Sequence, residues 1–240
     1  LDLQRRVLEA FGKTSELPCD VWRSERGGVL LVSNYPDCIL ENEGWCVLCA
    51  GFCYRHGEAF DDGSFENKSH AASEDDEKAS FARTLLDFCE RHGGGTDRGG
   101  GDADREESSS VEELIGRRLK HCSGHFSAYV VRKGGGNDDP PKFWAWNDPF
   151  GFMPVYYSHV GNDCVISSRW DCLVPNLPSL RLDWDIVAEY IALGTTLGGG
   201  GNENEIESFD RTFVRGIRNL GPGCFIRLVP SCEEMQLNIN

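Results

Sequence analysis

The chain has 240 residues, 40% of them hydrophobic, and a formal net charge of -15. That apolar content supports one large domain or two small ones, and thirteen Phe, six Trp and six Tyr exclude global disorder. So acidic a surface repels a phosphate backbone, which sets nucleic acid aside as a partner, and no apolar run approaches the roughly 20 residues of a membrane span.

In chain order, "LDLQRRVLEAFGK" opens as an amphipathic helix with Leu3, Val7, Leu8 and Phe11 on one side. Its interspersed charges exclude a signal-peptide core. The first residue is Leu1, which fits a processed or excised chain. "GGVLLVSN" and "GWCVLCAGFCY" follow as strands. "DEKASFARTLLDFCERHG" carries Phe81, Leu85, Phe88 and Cys89 at helical spacing, with Gly93 as a stop. "SSVEELIGRRLKHC" is a second helix, opened by Ser109 or Ser110 with Glu112 and Glu113 in its first turn. Then come four strand-like runs with tight turns between them: "GHFSAYVVRK", "KFWAWND", "MPVYYSHV" and "DCVISSRW". Within them "FWAWNDPFGFMPVYYS" reads as a hairpin. "DWDIVAEYIALG" predicts a helix capped by Asp183, with Ile186, Val187, Tyr190 and Ile191 on one face and Gly194 at its end. "RTFVRGIRNLGPGCFIRLVP" supplies a last turn and strand. Helices and antiparallel strands in separate blocks predict a layered α+β domain. Flexible insertions are expected at 93–110 and 197–208, and a shorter Gly-rich stretch at 133–141. None of the three has the strand-to-helix context, with Lys and Ser or Thr, of a phosphate-cradling loop.

Eleven cysteines, an odd number, sit mostly inside apolar runs. They read as small buried hydrophobes, unpaired, in a reducing cytoplasmic setting. Cys46 and Cys49 face opposite sides of a strand, which defeats shared coordination of one ion. His121 and His125 are four apart, but Gly124 breaks the helix that would align them for zinc. No G-x-S-x-G elbow, Walker loop or H-E-x-x-H motif is present. From residues alone, no metal or cofactor is expected and no catalytic residue is singled out, while a Cys nucleophile with a helper base stays open because its partners would meet only in the fold.

An ordered series of motifs in the second half resembles the asparagine synthetase-like amidotransferases. "GHFSAYVVR" is similar to that family's G-x-F-A strand, and "WAWNDPFGFMPVYYS" to its R-D-x-x-G-x-x-P-L-Y-Y segment. "CVISSRWDCLV" resembles its F-A-S-E-x-K-A-L strand and turn, and "LDWDIVAEYIALG" its L-D-x-x-x-L-A-E-Y-L-x-x-G helix. "RTFVRGIRNLGPGCFIRL" resembles its T-x-F-x-G-I-x-x-L-P-P-G end. The series runs from Gly124 to Leu228. It implies a glutamine amidotransferase type 2 domain over 1–240 with the N-terminal-nucleophile (Ntn) hydrolase fold, a four-layer αββα sandwich. Residues 175–240 would then form the junction toward a synthetase domain. In the family, an N-terminal Cys with its own α-amine as base hydrolyses glutamine, and the ammonia passes to an ATP-dependent amide-forming partner.

Measured against that resemblance, this chain departs at the chemistry. Leu1 stands where the nucleophile belongs. The family's N-G-E-I-Y-N oxyanion segment matches "AGFCYRH": Gly51 is kept, but Ala50 replaces the Asn, a loss that typically costs about a hundredfold in rate. "VLLVSNYPD" lacks the Arg that clamps the glutamine carboxylate, and the acidic pair of the substrate amine has no clear register in "SHAASEDDEKAS". Asn147 replaces an Arg ahead of the retained Asp148. The S-G-G-x-D-S motif of ATP binding is absent. The resemblance therefore implies a degenerate domain without glutaminase activity, like the β-lactam synthetase-like relatives that also lack the Cys. It would serve an asparagine synthetase-like C-terminal domain, with a homodimer as a further arrangement and a residual pocket at Gly51 and Ala50. ATP and magnesium enter only with a following synthetase domain. Two alternatives stay open: a fragment of an active enzyme whose Cys lies upstream, and a stand-alone binding module.

Overall fold

The computed structural model describes residues 5–9, 12, 20–24, 29–33, 38–54, 74–93, 111–134, 141–160, 163–194, 211–228 and 236–238. Antiparallel pairing dominates. β3 (Ile39–Glu41), β4 (Trp45–Tyr54), β5 (Ser123–Arg132), β6 (Lys142–Asn147), β10 (Phe225–Leu228) and β11 (Gln236–Asn238) form a six-stranded sheet in the order β11-β10-β6-β5-β4-β3. β8 (Asp163–Ser167), β7 (Tyr156–Val160) and β9 (Arg218–Asn219) form a three-stranded sheet, and β1 (Asp20–Arg23) pairs with β2 (Leu30–Ser33). The helices are α1 (Glu74–Gly93), α2 (Val111–Leu119) and α3 (Trp184–Leu193). The chain is thus α+β, with helices and antiparallel strands in separate blocks.

Both faces of the large sheet are apolar because successive side chains point to opposite faces and its central strands are apolar at nearly every position. Trp45, Val47, Cys49 and Cys53 of β4 turn to one side, where they pack with Phe81, Leu85 and Phe88 of α1 and Ile115 and Leu119 of α2. Cys46, Leu48 and Ala50 turn to the other, against Leu31, Tyr129, Phe143 and Ala145, with Met153 and Ile166 alongside. Cys46 and Cys49 do lie on opposite faces. Phe81 meets Phe126 edge-on, ring centroids 5.2 Å apart. Each such buried large side chain contributes about 1.5–3 kcal/mol through the water it sheds. The small sheet repeats the logic. Tyr157 packs inward with Ile226 and Leu220, while Tyr156 faces outward toward Val165, Leu173 and Val7 of the helical stretch 5–9.

The expected hairpin is not one. β6 belongs to the six-stranded sheet and β7 to the three-stranded sheet, so "NDPFGFMP" carries the chain from one sheet to the other. "LGPGC" makes the reverse crossing, from β9 to β10. The two crossings run side by side and are stitched together. Leu220 N–H donates to Val155 O at 2.7 Å, Asn147 N–H to Cys224 O at 3.1 Å, and Gly223 N–H to Asp148 O at 2.9 Å. The Asn147 amide donates to Leu220 O at 3.0 Å.

α3 also departs from expectation. Ile186 is fully buried and Val187 half-buried, but Tyr190 and Ile191 are exposed. The expected apolar face is therefore only partly covered. Asp183 holds the N-cap position, yet its carboxylate makes no cap hydrogen bond. It takes a two-pronged grip from Arg211 instead, at 2.8 Å to each oxygen. Gly194 ends the helix as expected, at φ 71° with its N–H on Tyr190 O. The insertions expected at 93–110 and 197–208, the Ser109/Ser110 cap and most of 133–141 lie outside the described residues, Gly93 ending α1. Among the described residues, no helix is long and apolar enough to cross a membrane.

Candidate functional site

Gly51 lies inside the β4–β5 ladder, paired with Phe126, and Ala50 pairs with Ser127. Gly51 has φ 90°, a conformation that suits glycine. A Cβ there would stand 2.1 Å from His125 O. Only glycine fits, because β5 approaches on the side a side chain would occupy. The nearest group on that side is therefore a carbonyl, an acceptor that repels an oxyanion. Ala50, 8% exposed, sits on the opposite face with Leu48 and Tyr129 and has no donor in its side chain.

The same short piece of β5 holds the turn that follows β6. Asp148 N–H donates to Phe126 O at 3.0 Å, one strand across from Gly51. The Asp148 carboxylate is fully buried. It accepts the N–H groups of Phe150 at 2.9 Å, Phe152 at 3.2 Å and Met153 at 2.8 Å. It shapes the turn so that Phe150 and Phe152 project into solvent, with Phe152 against the His125 ring at 4.3 Å. The structure thus brings together Gly51, the 125–127 segment and Asp148. Asn147, on the Arg position of the resemblance, spends its amide on the neighbouring crossing.

Six of the described thiols are held toward the protonated form. Burial pushes the Cys46 and Cys164 thiols up to about 12, and it raises Cys49, Cys89 and Cys224 as well. A hydrogen bond with Cys122, then burial, raises Cys53. A protonated thiol is neither nucleophile nor metal ligand. None of the nine described cysteines lies in a disulfide. His121 ends up in the turn after α2 and His125 in β5, both exposed. Among the described residues no group of three or more His, Cys, Asp or Glu could hold a metal ion.

Sequence reasoning missed the 125–127 segment. The signal was the pairing of two long runs, 45–54 and 123–132, whose register sets Gly51 against Phe126. It also missed the apolar surface formed by Leu180, Leu182, Trp184, Tyr190, Ile191, Leu193 and Phe213, all exposed. Tyr190 and Phe213 meet edge-on at 5.2 Å. No family model matches the chain, and no curated protein matches it.

Proposed function

We propose that this chain is a degenerate glutamine amidotransferase type 2-like domain that does not hydrolyse glutamine and serves as the docking half of an ATP-dependent amide-forming enzyme. The observation that carries the reading is the exposed apolar surface around α3, in the stretch 175–240 where the resemblance expects a synthetase junction. Ile191 is 78% exposed and Trp184 65%. Large apolar side chains exposed along one helix and its flanks, with Tyr190 and Phe213 in contact, support a surface that meets another protein surface. The layering is in keeping with the four-layer αββα sandwich: α1 and α2 on one face of the large sheet, strands on the other, and helical segments beyond the small sheet. The protonated thiols and the side-chain methyl at Ala50 support the loss of glutaminase chemistry.

The test is direct. The purified chain, incubated with glutamine, releases ammonia at the rate of a heat-killed control. Release above that control sinks the reading. In the same preparation, Trp184→Glu with Ile191→Glu leaves the thermal midpoint unchanged and abolishes association with an asparagine synthetase-like ATP-dependent domain. Unchanged association would remove the docking role.

A further inference from the structure

A cleft of about 380 Å³ opens between α2 and the paired crossings that link the two sheets. Neither Ala50 nor Gly51 lines it. Its apolar wall is Trp146 stacked on Phe225, centroids 6.0 Å apart and planes 25° from parallel. Trp146 is 3% exposed, and its indole N–H has no hydrogen-bond partner. A buried Trp N–H is ordinarily satisfied, so an orphaned one asks for an acceptor from outside the chain. That N–H lies on the α2 side, since a Cβ added to Gly116 would stand 3.6 Å from it. With no side chain, Gly116 puts no atom of its own against the donor.

The rim of the cleft is charged. Arg117 and Lys120 of the α2 end are both exposed and line it, and neither has an ion-pair partner among the described residues. Glu113 lies on the same rim. Two cations against one carboxylate leave the mouth positive on a chain of net charge -15. Such a local reversal of sign draws anions to the mouth. Serving the negative end of α2 would explain two exposed cations, but not the orphaned indole donor.

We propose that this cleft binds a small organic carboxylate with a flat apolar body. The carboxylate sits between Arg117 and Lys120, within reach of the indole donor, and the flat body lies along Trp146 and Phe225. Guanidinium, ammonium and indole N–H supply donors only, which selects an acceptor group at the Arg117–Lys120 end, while Glu113 and the unpartnered Asn147 Oδ1 are the acceptors of the same lining. The stacked pair selects a flat partner over an aliphatic one. This site goes beyond the amidotransferase-like reading and stands or falls apart from it.

The six tryptophans give six indole N–H signals in a spectrum of the nitrogen-15-labelled chain. The probes are benzoate, benzamide and inorganic phosphate. Benzoate shifts the Trp146 signal, identified by its loss in Trp146→Phe, saturably in the millimolar range. The signal of Trp144, also buried and unpartnered but outside the cleft, stays in place. Benzamide, which keeps the ring without the charge, and phosphate, which keeps the charge without the ring, bind at least about tenfold more weakly. Arg117→Gln with Lys120→Gln weakens benzoate by about tenfold or more while the thermal midpoint holds, both residues being exposed. Gly116→Ala gives the sharper contrast. Alanine is the better helix former, so the midpoint rises, while the added methyl covers the indole donor and benzoate binding weakens. No saturable shift with benzoate, equal binding of benzamide or of phosphate, or undiminished binding by either variant would overturn the proposal.

Discussion

α1 and α3 present opposite outcomes of similar sequence signals. Both show apolar residues at helical spacing, and α3 is the more apolar of the two by composition. In α1 the face Phe81, Leu85, Phe88 and Cys89 is almost fully excluded from water against the six-stranded sheet. In α3 Ile186 is buried and Val187 half-buried, while Tyr190 and Ile191 look into solvent. Spacing says which residues share a face. Whether a surface covers that face is a property of chain elements far away in sequence, or of another molecule. α1 is held by its packing, whereas α3 is held by one buried isoleucine and the Arg211 grip on Asp183.

The contrast is broken most forcefully at α1. Phe81→Ala removes a 2% exposed ring from against Phe126 and costs about 4 kcal/mol in urea unfolding. A loss within about 0.5 kcal/mol, the ordinary surface range, would erase the distinction between the helices.

Next in size is the turn between the sheets. Asp148→Ala strands three backbone N–H donors and costs about 3 kcal/mol by the same measurement. Asp148→Asn, which retains one acceptor oxygen, recovers part of the loss. An alanine variant as stable as the parent would mean that the three contacts do not order the turn.

The polar anchor of α3 gives a smaller, pH-dependent effect. Burial alone would raise the Asp183 carboxyl, but the Arg211 hydrogen bonds and charge outweigh it and hold it below the usual carboxylate range. A carboxyl lowered on folding adds stability above its unfolded value of about 3.9, and that stability drains away as pH falls through the folded value. The gap in thermal midpoint between the parent and Asp183→Asn is therefore full at neutral pH and closes as pH drops below about 4. A gap independent of pH would show that the pairing carries no net stabilisation. The smallest effect belongs to the open face of α3. Ile191→Ala, at 78% exposure, changes stability by less than about 0.5 kcal/mol.

Much of this architecture was readable in advance, for reasons that also explain the failures. The strands of the large sheet announce themselves as near-continuous apolar runs, and the opposed placement of Cys46 and Cys49 follows from a period of two. The Gly194 stop was equally local, because a left-handed residue closes the helix on its own backbone. The link from β6 to β7 was not readable. An Asn-Asp-Pro-Phe-Gly turn looks the same whether its flanking strands pair with each other or enter different sheets. Gly51 was legible as a position that matters, but the reason it must be glycine is the carbonyl of His125, 74 positions along the chain and brought over it by pairing. The cleft beside Trp146 was invisible for the same reason. Gly116 gains its meaning only from the indole of another element that stands behind it.

The stitched crossings bear on the order in which the chain folds. The Asn147 amide and its acceptor Leu220 are 73 positions apart, so closing that contact requires a long loop to have already lost its freedom. The pairing of β5 with β6, by contrast, spans a short connection and can form early. Joining of the two sheets is thereby placed late, after the large sheet has its central strands. A refolding experiment would see the α1-facing tryptophans, Trp45 and Trp144, reach their final environment before the two sheets lock together.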